Sequence, residues 1–145
     1  ALDGARPTGK TGVGRALRDI AEVMRRRGLV LLFSDLLDDP KAVLEGLKQV
    51  RHRGHEMVLF HVLDHDELTF PFERLSRFEG MEEDLQVIAD PAALRTAYLA
   101  EVTAFQKVIR RACQQNRIDY VLLDTSESLG VALAAYLAKR AARRR

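Results

Sequence analysis

The residues best suited to chemistry follow an apolar run: Ser34, Asp35, Asp38 and Asp39 come directly after Leu29-Val-Leu-Leu-Phe33. Their carboxylates and hydroxyls are hard oxygen donors, which suit magnesium or manganese, held directly or through ordered water. Thr11, in a loop before a predicted helix, is a second donor of the same kind, so Thr11 and Asp35 form a candidate metal pair. Two ligands do not hold a cation tightly, and the ordinary role of both residues is to cap a helix and a turn. Asp124-Thr-Ser-Glu-Ser128 has the Asp-x-Ser-x-Ser spacing that offers one carboxylate and two hydroxyls. With strands in chain order it lies two strands from Asp35, about 10 Å at roughly 4.8 Å per step. No ion is shared across that gap, and capping of the last helix by Thr125, Ser126 or Ser128 is the expected role.

Three other patterns have weaker chemical meaning. Gly4-Ala-Arg-Pro-Thr-Gly-Lys-Thr11 matches the phosphate-binding P-loop, yet only three residues precede it and Pro7 lies inside it. A working P-loop leaves a buried strand, so nucleotide binding through Gly4 to Thr11 is the alternative function rather than the leading one. His52, His55, His61 and His65 lack the Cys or Glu companions of an established zinc motif. The basic end, Lys139-Arg140 and Arg143-Arg-Arg145, has no interleaved aromatics and fits a solvated helix terminus. No serine, histidine and acid share the spacing of a triad, so no catalytic residue is assigned and an enzyme is not expected.

The elements that must position these groups follow from periodicity. Leu17, Ile20, Ala21 and Met24 recur at helical spacing, with Arg25 to Arg27 and Gly28 as the expected stop. Leu29 to Ser34 has no polar alternation, as in a central strand buried on both faces of a parallel sheet. Asp38 or Asp39 and Pro40 start a helix with Val43, Leu44, Leu47 and Val50 inward, and Met57 to Leu63 repeats the buried-strand signature. Leu68 to Phe72, Ser76 to Met81 and Leu85 to Ile88 are expected to be short irregular strands. A long helix from Pro91 carries Leu94, Tyr98, Val102, Phe105, Ile109 and Ala112 on one face. Tyr120 to Leu123 is a third strand, and the last helix, from Leu129, turns Val131, Ala132, Ala135 and Tyr136 inward. Ligands gather beyond the carboxyl ends of strands in such sheets, which is where Asp35 falls.

Size and composition set outer limits. A chain of 145 residues, 47% hydrophobic and 30% charged, fits one globular domain spanning 1–145. A net charge of +2 is too small to argue for nucleic acid, which is not expected as a partner, and one cysteine offers no disulfide framework. No apolar run reaches the ~20 residues that span a bilayer, and a cytoplasmic location is expected.

Four stretches together resemble the bacterial proteins of domain of unknown function family fifty-eight, whose core is similar to a von Willebrand factor A domain. They are Arg26 to Pro40, Arg51 to Asp64, Phe70-Pro-Phe72 with Arg77-Phe-Glu-Gly80, and Ile118 to Ser126. The resemblance implies a three-layer, Rossmann-like α/β fold, a parallel sheet flanked by helices, of which this chain is the C-terminal half. It also implies a metal-ion-dependent adhesion site, in which Thr11 matches the loop threonine and Asp35 the strand-end aspartate. The first metal-binding loop of the family would lie upstream, so magnesium or manganese is expected in a longer parent, with no tight binding by this chain. The implied function is non-enzymatic partner docking, with MoxR-type ATPases as partners. A half sheet exposes the flank of the Leu29 strand, and either a homodimer through that edge or a longer parent protein is expected. Phe70, Phe72 and Phe78, aromatic residues in a polar stretch, are candidate partner anchors.

Overall fold

The computed structural model describes residues 12–72, 76–79, 86–89 and 91–143. Its elements are α1 (Val13–Val23), β1 (Leu29–Ser34), α2 (Pro40–His52), β2 (Glu56–Leu63) and α3 (His65–Thr69), followed by β3 (Ser76–Glu79), β4 (Gln86–Ala89), α4 (Pro91–Gln115), β5 (Asp119–Asp124) and α5 (Leu129–Arg143). Strands β1, β2 and β5 form a parallel sheet in the order β1-β2-β5, while β3 and β4 pair separately and antiparallel. Helices cover both faces, giving a mixed α/β, Rossmann-like fold.

The middle of the sheet is β2. Met57 to Phe60 are all buried, whereas β1 keeps Leu29, Leu31 and Phe33 about half exposed. The expectation of β1 as a strand buried on both faces is therefore corrected: Val30 and Leu32 face the core, and the alternate residues face outward. A continuous apolar run hid the alternation, since Leu and Phe occupy both faces. Among the described residues one edge of β1 is unpaired.

The larger core joins one sheet face to α1, α2 and the C-terminal half of α4, through Leu17, Val43, Leu47, Val50, Leu59 and Ile109. Burying such side chains contributes roughly 1.5–3 kcal/mol each. Cys113 lies in this core, and burial pushes its thiol up to about 12. Among the described residues the opposite face is covered by α5, whose Ala132, Leu133 and Tyr136 meet Val58, Phe60 and Leu123. Val131 and Ala135, expected inward, are exposed; Leu133 takes the inward place. Along α4 the inward stripe holds at Ile109, but Leu94 is exposed.

Two glycines seat α1 against α2. A Cβ on Gly14 would lie 2.6 Å from the Ala42 carbonyl carbon, and one on Gly46 would lie 2.8 Å from the Leu17 Cβ. The backbones meet where no side chain fits. Helix α1 ends at Val23, short of the expected Arg25 to Gly28 stop, because Met24 is already extended. Gly28 instead donates its N–H to His55 Nδ1 at 3.3 Å. The expected strand at Leu68 to Phe72 is partly helix α3, started by a capping box between Asp64 and Glu67 and ended by Phe70 at φ +47°.

Candidate functional site

The loop leaving β1 is held from three sides. Asp39 caps α2 by accepting from the Lys41 N–H, with Pro40 at the first helical position. Asp38 does different work: its Oδ2 accepts the Gly14 N–H of α1 at 3.1 Å, and its Oδ1 accepts from Asp39 at 2.8 Å. Those backbone donors hold its carboxyl below the usual range. Leu36 sits between them at φ +62° and is 1% exposed, a left-handed leucine kept in place by burial. The start of α1 is thus tied to the carboxyl end of β1.

Asp35 stands at the tip of this loop. Its Oδ1 accepts the Leu37 N–H at 3.1 Å, and its backbone carbonyl lies 3.2 Å from His61 Nε2. His61, fully buried on β2, also meets the Tyr120 hydroxyl through Nδ1 at 2.9 Å. A carbonyl only accepts, so Nε2 carries the proton and Nδ1 accepts from Tyr120. Burial lowers the pKa of His61, in keeping with a neutral ring. The second carboxylate oxygen of Asp35 has no hydrogen-bond partner among the described residues. Thr11 and the whole stretch from Gly4 to Thr11 lie outside the described residues.

The carboxyl ends of β2 and β5 form a second cluster. Asp124 Oδ2 lies 2.9 Å from His65 Nδ1, and Asp124 Oδ1 accepts the Ser126 N–H at 2.8 Å. The Thr125 hydroxyl donates to Asp64 Oδ2 at 3.0 Å and accepts the His65 N–H at 3.2 Å. His65 and Ser126 hold the Asp124 carboxyl down to about 2, and Asp124 in turn raises His65. Ser126 Oγ reaches the same Nδ1 at 3.3 Å. Acid and hydroxyl compete for one ring nitrogen, so the three do not form a relay through the imidazole. The hydroxyls of Thr125 and Ser126, expected to cap α5, turn instead toward the end of β2. Ser128 takes the cap position, its carbonyl accepting from Val131 and Ala132.

With β2 between them, Asp35 and Asp124 are two strands apart, as strand order in the sequence implied. The four histidines are dispersed: His55 is buried where α2 ends, His61 is inside β2, and His52 and His65 are exposed on different elements. Among the described residues no group of three or more His, Cys, Asp or Glu is placed to hold a metal. Sequence reasoning overlooked Asp64, and weighed His65 only as a zinc ligand, although an aspartate directly after a strand was the signal that singled out Asp35.

The aromatic candidates divide. Phe70 is 5% exposed and packs against Phe72 and Tyr98, with ring centroids at 5.1 and 4.9 Å. Phe72 is half-buried beside it. Phe78 pairs with Val87 in the β3–β4 register, and its side chain lies outside the described residues. No described helix is long and apolar enough to cross a membrane.

Comparison with curated proteins and with solved structures returns no match. The family model described as "Protein of unknown function DUF58" matches residues 1–108, most of the 145-residue chain and all of the loop from β1 to α2. On that match the chain belongs to the DUF58 family.

Proposed function

We propose that this chain is a non-enzymatic interaction module that docks a protein partner at the carboxyl ends of its strands. In this reading Thr11 and Asp35 supply part of a magnesium or manganese site, and a MoxR-type ATPase is the partner implied by the family resemblance. The observation that carries it is the bond from Gly14 N–H to Asp38, which brings the start of α1 to the loop that presents Asp35. In the sequence Thr11 directly precedes Gly12, the N-cap of α1. The donor set fits a hard cation, because one oxygen of Asp35 is unengaged among the described residues and a threonine hydroxyl complements it. When bound, the cation would supply an open coordination position for a partner carboxylate. The chain's own part is to hold Asp35 still, through His61 and the buried Leu36.

Calorimetric titration with Mn²⁺ tests this. Asp35→Ala and Thr11→Ala should each weaken binding, while Lys10→Ala should leave it intact. Tight ATP binding lost in Lys10→Ala would replace the reading with a nucleotide site. The expected homodimer through the β1 edge belongs to the same proposal, and solution mass checks it.

A further inference from the structure

We infer that the cleft between α3 and α4 is a docking groove for a basic amphipathic protein segment, one whose large apolar side chain is flanked by Lys or Arg. The cleft encloses about 560 Å³. Among the described residues its apolar wall is built by Phe70, Phe72, Leu94 and Tyr98, and its charged lining residues are Asp66, Glu67 and Glu101, all acidic. An apolar floor with a rim of one sign selects a ligand of the opposite sign. Among the described residues a nearby cation, Arg95, is not part of the lining and donates to the Thr69 carbonyl at 3.1 Å. Glu67 acts on the cleft directly: with burial, its charge raises the pKa of Tyr98. The wall is preformed, because Phe70 is fixed in the left-handed cap of α3 and wedged between Phe72 and Tyr98. A rigid aromatic floor spares a ligand part of the ordering cost of binding. Helix-in-groove recognition, with apolar anchors three or four residues apart, suits this shape.

The inference rests on the interaction-module reading but needs no cation. The test uses two labelled peptides with the same Leu and Phe anchors at helical spacing, one carrying Lys and the other Glu at the polar positions. Both are titrated into the whole chain in EDTA, followed by fluorescence anisotropy. The Lys peptide should bind saturably and weaken as salt rises, and the Glu peptide should not bind. Glu67→Gln combined with Glu101→Gln should weaken the Lys peptide about tenfold, as loss of two rim charges implies. Glutamine at position 67 keeps the capping box, so α3 survives that change. Phe72→Ala should weaken binding with the circular dichroism spectrum unchanged. Equal binding of the two peptides, no binding, or indifference to the paired Gln variant would overturn the inference. A dimer that blocks the peptide would overturn it in favour of a second copy as the occupant. Lys-peptide binding in EDTA that persists in Asp35→Ala supports the groove whatever becomes of the cation site, and failure of Mn²⁺ titration alone counts only against that site.

Discussion

Asp35 and Asp124 look alike in the sequence, each leaving an apolar strand at the same end of one sheet, but their surroundings differ. Asp124 spends both carboxylate oxygens at once, on His65 and on the Ser126 backbone. Asp35 spends one, on Leu37, and its main chain rather than its carboxylate is anchored, by His61. The Asp-x-Ser-x-Ser pattern therefore closes on its own neighbours, while the plainer aspartate leaves one oxygen without a hydrogen-bond partner among the described residues. A motif counts as a site only when its donors remain unspent.

The largest effect that would sharpen this contrast is expected from His61→Ala. It leaves a cavity where a fully buried ring stood and takes the partner from the Tyr120 hydroxyl and the Asp35 carbonyl, and it should cost about 2–4 kcal/mol of stability, measured by urea unfolding. A loss no larger than that of a surface substitution would mean that the β1 loop is not anchored from below. Asp38→Ala removes the acceptor at the start of α1 and should cost about 1 kcal/mol. It should also weaken any Mn²⁺ binding, since the tie between α1 and the β1 loop is lost.

A subtler difference concerns pH. His65 is raised above its ordinary 6.5, so its contribution is complete below that value and fades as pH climbs through the folded-state pKa. Asp124 is lowered from 3.8 to about 2, so its contribution is present above 3.8 and fades as pH falls toward 2. Stability from this pair should therefore plateau between about 4 and 6.5 and decline on either side. His65→Asn should flatten the alkaline decline of the urea midpoint. A decline that persists unchanged in this variant would assign it to other groups. Thr125→Val, which removes two exposed hydroxyl bonds, should change stability by less than about 0.5 kcal/mol.

Strands and helices were largely legible because burial imposes period and run length. Val43, Leu47 and Val50 mark α2 without any knowledge of its partners, and Asp39 with Pro40 marks its start. Less could be read where apolar residues fill both faces of an element. Leu29, Leu31 and Phe33 look like core residues, and only the position of β1 at the edge of the described sheet leaves them half exposed. Val131 misled for the same reason, since α5 packs on a face it covers only in part. The segment at Leu68 to Phe72 was mistaken because aromatics next to a proline suggested an edge strand, whereas the capping box at Asp64 and Glu67 had already committed the backbone to a helical turn. The candidate site was legible as a place, at the end of β1. The supports of that place were not, because Asp38 reaching Gly14, and His61 reaching both Tyr120 and Asp35, join residues 24 to 59 positions apart.

The glycine contact between α1 and α2 has a mechanical side. Helices that meet backbone to backbone have no cushion of side chains over which one can slide along the other, so the pair behaves like two gears locked at a single tooth. The first turn of α1 and the loop ahead of α2 then keep a fixed spacing, and a pull on either one is felt by both.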